Sequence, residues 1–193
     1  MKIENIPETR ERFQAYLNSG DKVFEFEVNY PLSDRIAGIY QVIFPGRKKY
    51  QFYGRFLVAR IAQLIDYSPI KVWLYRAIGI KIGKGVFIAP DVILDPHFPT
   101  LIEIHDYAIL GWGAKLFTHY FSGKTYCAGR IMIGEGAVIG AFSLIRGGVT
   151  IGKQANISVD SLVYKDVPDH ATFSLLDLLK VLLRNKNFRE TQE

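Results

Sequence analysis

The chain has 193 residues, of which 49% are hydrophobic and 22% charged, with one cysteine and a formal net charge of +5. This composition excludes a disulfide scaffold, a collagen and a disordered chain, and the lack of an apolar leader or of an apolar run near ~18 residues favours an intracellular protein, soluble or at a membrane surface. The excess positive charge lies in residues 31–79, with eight Lys/Arg against two Asp/Glu, whereas residues 80–168 hold eight against seven, so we expect no nucleic-acid partner.

Residues 1–79 are predicted to form a helical N-terminal region with one strand. The alternation KVFEFEV predicts a strand over 22–28. Ser33 is a candidate cap for a helix over 34–44, which Pro45-Gly46 would end. A second helix is predicted over 48–66 and a third, short one from Ser68-Pro69 to Tyr75. In the second helix, one face is apolar and excludes Arg55 and Gln63; its residues are Tyr53, Phe56, Leu57, Ile61 and Leu64.

Residues 80–168 contain an internal repeat in which an aliphatic residue returns every six positions. The repeat runs in three phases and none of its positions is polar: Ile82, Ile88 and Leu94; Ile104, Leu110 and Leu116; Ile133, Ile139, Ile145, Ile151, Ile157 and Val163. A small residue often follows four places later, as at Ala108, Ala114, Ala137, Ser143, Ala155 and Ser161.

A period of six fits neither a helix nor a simple hairpin pattern. It predicts a mainly β fold, a triangular solenoid in which each short strand is one side of a coil and each turn is a corner. The aliphatic residue would point inward and the small residue would fit near the corner. Glycine directly after the aliphatic, at Gly83, Gly111, Gly134, Gly140 and Gly152, is expected to supply turn dihedrals.

Residues 169–193 are predicted to form a C-terminal helix and tail. Ser174 and Asp177 have the spacing of a capping box, and six leucines between 175 and 183 give the helix a wide apolar face. Two interpretations remain for both flanks. They pack on the solenoid or on a neighbouring subunit, or the basic, aromatic-rich residues 31–79 contact a membrane surface.

The repeat segments IKIGKGVFIAPDVIL, IEIHDYAILGWGAKLFTH and IMIGEGAVIGAFSLIRGGVTIGKQANISVDSLVYKDVP resemble the hexapeptide-repeat, left-handed β-helix acyltransferases. The resemblance covers about residues 78–168. It implies a left-handed parallel β-helix and a CoA-dependent acetyl- or acyltransferase. It also implies a homotrimer with active sites in the clefts between subunits.

The repeat is interrupted between Leu116 and Ile133, and this excursion, about residues 117–131, is the candidate active-site loop. It contains His119, whose imidazole is suited to take a proton from an attacking hydroxyl or amine. The family resemblance places its general base where the chain leaves the coil, which fits Thr118-His119. Cys127 lies in the same excursion and is expected to be structural, whereas His97, His105 and His170 are expected to lie in loops, with His97 or His105 a weaker candidate for acceptor contact.

The resemblance also implies a site for acetyl-CoA as co-substrate, with no metal. Four residues match the acetyltransferase pattern: Ala141 and Val159 for backbone contacts to the pantetheine arm, then Tyr164 and Lys165, of which Lys165 would approach a phosphate.

The expected function is therefore a CoA-dependent O- or N-acetyltransferase that acts on a small polar acceptor such as a sugar or glycan. The expected location is cytoplasmic, or peripheral on the inner face of the membrane if the acceptor is lipid-linked. One alternative is a non-catalytic trimeric scaffold. Another is a zinc enzyme resembling the γ-class carbonic anhydrases, built from His97, His105 and His119.

Overall fold

Short strands recur through the repeat region at the spacing of the aliphatic residues. The protein is described by a computed structural model over residues 6–28 and 48–174. The helices are α1 (Ile6–Asn18), α2 (Lys48–Leu64) and α3 (Ser68–Ala77), with a 3-10 turn at Pro99–Leu101. The strands are β1 (Val23–Glu27), β2 (Lys81–Ile82), β3 (Phe87–Ile88), β4 (Ile93–Leu94), β5 (Ile102–Ile104), β6 (Ile109–Leu110), β7 (Lys115–Phe117), β8 (His119–Ser122), β9 (Thr125–Gly129), β10 (Ile131–Ile133), β11 (Val138–Ile139), β12 (Leu144–Arg146), β13 (Val149–Ile151), β14 (Asn156–Ile157), β15 (Leu162–Val163) and β16 (Thr172–Phe173).

Strands β2–β7 and β10–β16 belong in turn to three parallel sheets. Their strand orders are β13-β10-β5-β2, β16-β14-β11-β6-β3 and β15-β12-β7-β4. Each circuit of the chain therefore adds one strand to each sheet, and the same position of successive circuits is stacked. The sequence-based prediction of a mainly β fold with parallel strands is confirmed.

The interior of the circuits consists of the predicted aliphatic residues. Eleven of the twelve repeat positions are buried and Ile82 is half-buried. The small residues four places later are buried as well, from Ala108 to Ser161. The register explains this burial, because Leu110 pairs with Ile139 and Ile139 with Ile157, so that equivalent side chains stack along one column. The column removes apolar surface from water in every circuit.

The glycines that follow the aliphatic residues have a different role from the predicted one. None of these five glycines has a positive φ. A Cβ on Gly140 would instead lie 2.5 Å from the backbone nitrogen of Val159 in the next circuit. Glycine is required at these positions because successive backbones approach each other closely, and the predicted dihedral explanation is wrong.

The excursion from the repeat is a β-hairpin, where the sequence predicted a loop. Strand β8 pairs antiparallel with β9, and β1 from the N-terminal region pairs antiparallel with the other edge of β9. The predicted strand over 22–28 is thereby confirmed. Helix α1 was not predicted, and it packs on this sheet through Phe13 and Tyr16, within a second core of aromatic and aliphatic side chains.

Helices α2 and α3 confirm the two predicted helices, but the apolar face of α2 is not the face that packs. Its predicted apolar residues are all exposed: Tyr53, Phe56, Leu57, Ile61 and Leu64. The buried residues are Phe52, which joins the second core, and Ala59 and Ala62, whose small side chains let the helix approach the circuits closely. Helix α3 is fixed by Lys71, whose buried Nζ donates to the Ala89 carbonyl at 2.7 Å.

Two predicted elements lie outside the described residues. These are the helix over 34–44 and the C-terminal helix opened by Ser174 and Asp177. The division of the chain at residues 79 and 168 stays a prediction. Among the helices of residues 6–28 and 48–174, no helix combines the length and the apolar character that a bilayer crossing requires.

Candidate active site

The candidate site lies where β4 and β7 end side by side. These strands pair in parallel, with Leu94 opposite Leu116, so the residues that follow them meet at one edge of their sheet. Asp95 follows β4, and Thr118 and His119 follow β7 at the base of the hairpin. Residues 24 positions apart are thus brought into contact by the stacking of two circuits.

Asp95 is the centre of the site. Its side chain is only 1% exposed. One oxygen, Oδ2, lies 2.6 Å from His119 Nδ1 and accepts hydrogen bonds from the backbone N–H and the hydroxyl of Thr118. The other oxygen, Oδ1, lies 2.9 Å from both the backbone nitrogen and Nδ1 of His97, in an Asx-type turn. Each contact is with a group that can donate a hydrogen bond.

This arrangement keeps Asp95 ionised. Burial on its own would raise the pKa of the carboxyl group, but hydrogen bonds from His119 and His97, with their charges, outweigh it and hold the pKa well below its usual range. The carboxylate is therefore an acceptor only, and both imidazoles must place a hydrogen on Nδ1. Each ring then has Nε2 left for a ligand.

Aromatic side chains surround His119. Its ring lies 5.8 Å from Phe98, edge to face, and 6.0 Å from Tyr126, between ring centroids. Phe98 and Tyr126 belong to the second core, so the hairpin and the N-terminal elements hold the imidazole in place. The His119 side chain stays 24% exposed, which leaves it accessible to a substrate.

A cavity of about 210 Å³ opens between this edge and α2. Its residues are Phe56, Ala59, Arg60, Gln63, Ile93, Asp95, Pro96, His97, Phe117 and His119. The histidines form the polar part of its floor, and α2 supplies an apolar wall with Arg60 and Gln63. A small polar molecule could reach the imidazole rings there.

Asp95, His97 and His119 could also be considered as metal ligands, since one ligand atom from each lies within 4.8 Å of the others. The 2.6 and 2.9 Å separations between Nδ1 and carboxylate oxygen are those of direct N–H···O hydrogen bonds. His105 is not in this group and lies beside Glu103, at 3.3 Å. His97 and His119 therefore lie together and His105 stands apart, so the three histidines considered for zinc do not meet within one chain.

The sequence predicts His119 as a site residue and gives His97 as a weaker candidate for acceptor contact, but it does not point to Asp95. The available signal was the repeat itself, because Leu94 and Leu116 are equivalent positions of adjacent circuits and the residues after them must be close. Cys127 is buried and its Sγ lies 3.5 Å from Glu25 Oε1. Burial raises the pKa of this thiol, which disfavours a nucleophilic role.

The four residues predicted to bind CoA lie on two successive circuits. Val159 stacks on Gly140 beside Ala141, at the corner before the sheet that carries the site. Tyr164 and Lys165 follow the C-terminal end of β15, as Asp95 follows the C-terminal end of β4. The two strands lie on opposite sides of their sheet, with β12 and β7 between them. Val159, Tyr164 and Lys165 are exposed. Their contact with CoA stays a prediction.

Comparison with known proteins gives relatives in sequence and in structure. Residues over a 117-residue stretch are 37% identical to a Bacillus subtilis protein named "Putative acetyltransferase YvoF", covering 60% of this chain and 68% of that protein. The chain belongs to the hexapeptide-repeat acetyltransferase family. A comparison with models of protein families finds no match.

Solved structures of hexapeptide-repeat acetyltransferases share the fold. One is VCA0836 from Vibrio cholerae O1 biovar eltor, complexed with acetyl-CoA, with a TM-score of 0.57, 20% identity and coverage of 67% of this chain and 85% of that one. A maltose O-acetyltransferase from Clostridium difficile 630 has a TM-score of 0.54, 19% identity and coverage of 65% and 82%. The prediction that this hexapeptide-repeat protein is an acetyltransferase is confirmed by its relatives.

Proposed function

We propose that this acetyltransferase moves the acetyl group of acetyl-CoA to a hydroxyl or amine of a small polar acceptor, a sugar or a glycan, with His119 as the general base. The observation that carries the proposal is the His119–Asp95 pair at 2.6 Å on the floor of an open cavity. The buried carboxylate fixes the tautomer of the ring and stabilises the imidazolium that forms during proton transfer.

The reaction then follows from the position of Nε2. His119 Nε2 takes the proton of the acceptor O–H or N–H while the acceptor atom attacks the thioester carbonyl carbon. Backbone amides near the junction of circuit and hairpin would stabilise the oxyanion. The C–S bond breaks, the acetyl group stays on the acceptor, and the CoA sulfur takes the proton from the imidazolium. Asp95 acts as a positioning residue because it reaches the acceptor only through His119.

The co-substrate would lie along the edge that leads from the corner at Ala141 and Val159 to Tyr164 and Lys165. The exposed ammonium group of Lys165 is available to a phosphate, and backbone groups at Ala141 and Val159 to the pantetheine amides. We propose that the circuits form a left-handed β-helix and that the enzyme is a cytoplasmic homotrimer with sites in clefts between subunits. The exposed apolar face of α2, within the basic segment 31–79, would contact the inner face of the membrane.

Turnover tests this proposal. His119→Gln should lower acetyl-CoA consumption with a sugar acceptor by at least about 100-fold, because general-base catalysis contributes about 10²–10⁴-fold. The matched control is His105→Gln, which changes an exposed histidine outside the cavity and should keep wild-type turnover. Light scattering should give the same mass for all three proteins. Equal turnover by the His119 variant would reject His119 as the base.

A further inference from the structure

Two imidazoles share the single buried carboxylate of Asp95. His97 Nδ1 lies 2.9 Å from Oδ1, and His119 Nδ1 lies 2.6 Å from Oδ2. The ring centroids are 4.5 Å apart, and the planes are inclined by 56°. The reaction described above uses one of these rings, so the second needs an explanation.

The two rings are in equivalent chemical states. Because Asp95 stays ionised and accepts from both Nδ1 atoms, each neutral ring has its lone pair on Nε2. Within residues 6–28 and 48–174, each hydrogen bond found for these two rings goes to Asp95. Both residues line the same cavity, with His97 26% exposed and His119 24% exposed.

We propose that His97 Nε2 is a second acceptor-binding atom, which holds a hydroxyl or amine next to the one that His119 activates. The acceptor is then a molecule with polar hydrogens on neighbouring carbon atoms, a vicinal diol or amino alcohol. Two Nε2 atoms on rings this close, each with a hydrogen-bond reach of about 2.8 Å, suit two such groups of one molecule. This inference rests on the proposed function and narrows its acceptor class.

A purely structural histidine would not need this geometry. Phe52 packs against the His97 ring at 5.0 Å between centroids, so the site has apolar contact that a Leu or Phe could also make. The hydrogen bond to Asp95 is available to any side chain with a donor at that position. Only the free Nε2 distinguishes histidine from asparagine, whose amide nitrogen occupies a position similar to Nδ1.

The test therefore uses His97→Asn, which keeps a donor for Asp95 and removes Nε2. Acetyl-CoA hydrolysis without acceptor needs one nucleophilic water, so His97→Asn should lower it by a smaller factor than it lowers transfer to methyl glucoside. Transfer to methyl glucoside should lose at least about tenfold in kcat/KM, mostly through KM, since one substrate hydrogen bond is lost. Transfer to a monohydric alcohol such as ethanol should fall by the same smaller factor as hydrolysis. His97→Gln, with an amide oxygen near the former Nε2, should recover part of the loss.

Other outcomes would overturn the inference. If His97→Asn transfers to methyl glucoside as the wild type does, His97 binds no acceptor. If it loses hydrolysis as strongly as His119→Gln, His97 takes part in the chemistry itself. Absence of both hydrolysis and transfer in the wild type would reject the proposed function instead.

The tautomers of His97 and His119, and their contact with the acceptor, can also be tested without measuring turnover. Nitrogen NMR of ¹⁵N-histidine protein should show the Nδ1–H tautomer for both rings, and methyl glucoside should shift both Nε2 signals. An Nε2–H tautomer at His97, or a shift at His119 alone, would overturn the assignment.

Discussion

Asp95 holds a negative charge in an interior position because donors surround it. An ionised group that is 1% exposed would be costly without partners, and here each oxygen accepts from at least two groups. The same contacts connect the ends of β4 and β7. Its role is thus both to stabilise the fold and to set the tautomer of two histidines.

Asp95→Asn should lower both the stability of the fold and the rate of acetyl transfer. The amide nitrogen of asparagine is itself a donor, and it would face the donors of His97, Thr118 and His119. We therefore expect the free energy of unfolding to fall by about 3 kcal/mol and kcat to fall at least about 100-fold. Chemical denaturation and acetyl-CoA turnover measure these changes. Asp169→Asn is the matched control, because this exposed carboxylate accepts one backbone N–H, from Lys153, and should cost below about 1 kcal/mol.

The stability lost in Asp95→Asn should depend on pH. The pKa of Asp95 is lowered by folding, so its stabilisation is complete above the unfolded value near 3.9 and is lost as the pH falls toward the lower folded value. The stability difference between wild type and Asp95→Asn should therefore shrink as the pH falls below about 4. A difference that does not shrink below about pH 4 would contradict this explanation.

At the scale of residues, the sequence predicts His119, the proposed base, better than the residues around it. His119 could be predicted because it begins the interruption of the repeat. Asp95, and the contact of His97 with it, were not predicted because their approach depends on which strands stack, and the repeat shifts by four residues between Leu94 and Ile104. A phase shift in a periodic pattern shows that an irregular segment is present, but it does not show where its side chains point.

Among the elements, the glycines beside the hairpin hold the site in shape. A Cβ at Gly147 would lie 2.5 Å from the carbonyl oxygen of Thr118, and a Cβ at Gly129 would lie 2.2 Å from the Gly148 nitrogen. Thr118 donates to Asp95, so the closeness of these backbones determines where the carboxylate and His119 lie.

Gly147→Ala should displace Thr118 and with it the site. We expect a loss of about 1–3 kcal/mol in unfolding free energy from overpacking, and a fall in kcat of about 100-fold from misplacement of His119. The control is Gly54→Ala in α2, where a Cβ has no neighbour within 4 Å. That variant should gain about 0.5–1 kcal/mol from helix propensity and keep its kcat. Wild-type stability for Gly147→Ala would show that the backbones can separate.

Elements with a strict period could be predicted well, and elements that depend on tertiary packing could not. The circuits follow from the aliphatic repeat, since every interior side chain is specified locally. Helix α2 was predicted, but the face that packs was not, because its packing depends on the small residues Ala59 and Ala62 and not on its largest side chains. Helix α1 has few apolar residues, and the Phe13 contact that stabilises it comes from β1 and Phe98.

Across the whole molecule, the positive charge and the exposed apolar side chains coincide. Residues 31–79 carry a net charge of +6, and α2 presents Phe56, Leu57 and Ile61 to solvent. Among the cations that the structure describes there, Lys71 donates to the Ala89 carbonyl and Arg76 to the Gly83 carbonyl, so these two are used within the fold. Phe56 also lines the cavity with the two histidines, so a membrane contacting this face would bring a lipid-linked acceptor to the site.

Vesicle sedimentation tests the contact. The protein should bind vesicles with 30% phosphatidylserine at low salt and bind pure phosphatidylcholine at least about tenfold more weakly, because each basic residue near an anionic surface adds about 1 kcal/mol. The double variant Leu57→Asp/Ile61→Asp should lose this binding, and 0.5 M salt should weaken it through screening. Tyr107→Asp, an exposed aromatic in the repeat region, is the control and should bind as the wild type does.

The exposed apolar face of α2 could contact either a membrane or a second copy of the chain. The mass measured by light scattering distinguishes these two cases. If the face contacts lipid, the double variant keeps the wild-type mass and its turnover with a soluble sugar, and only vesicle binding is lost. If the face is a subunit contact, the double variant falls to a smaller mass without vesicles, and the wild type does not distinguish anionic from neutral lipid. The second result would assign the apolar side chains to assembly and leave the basic residues of 31–79 without a membrane role.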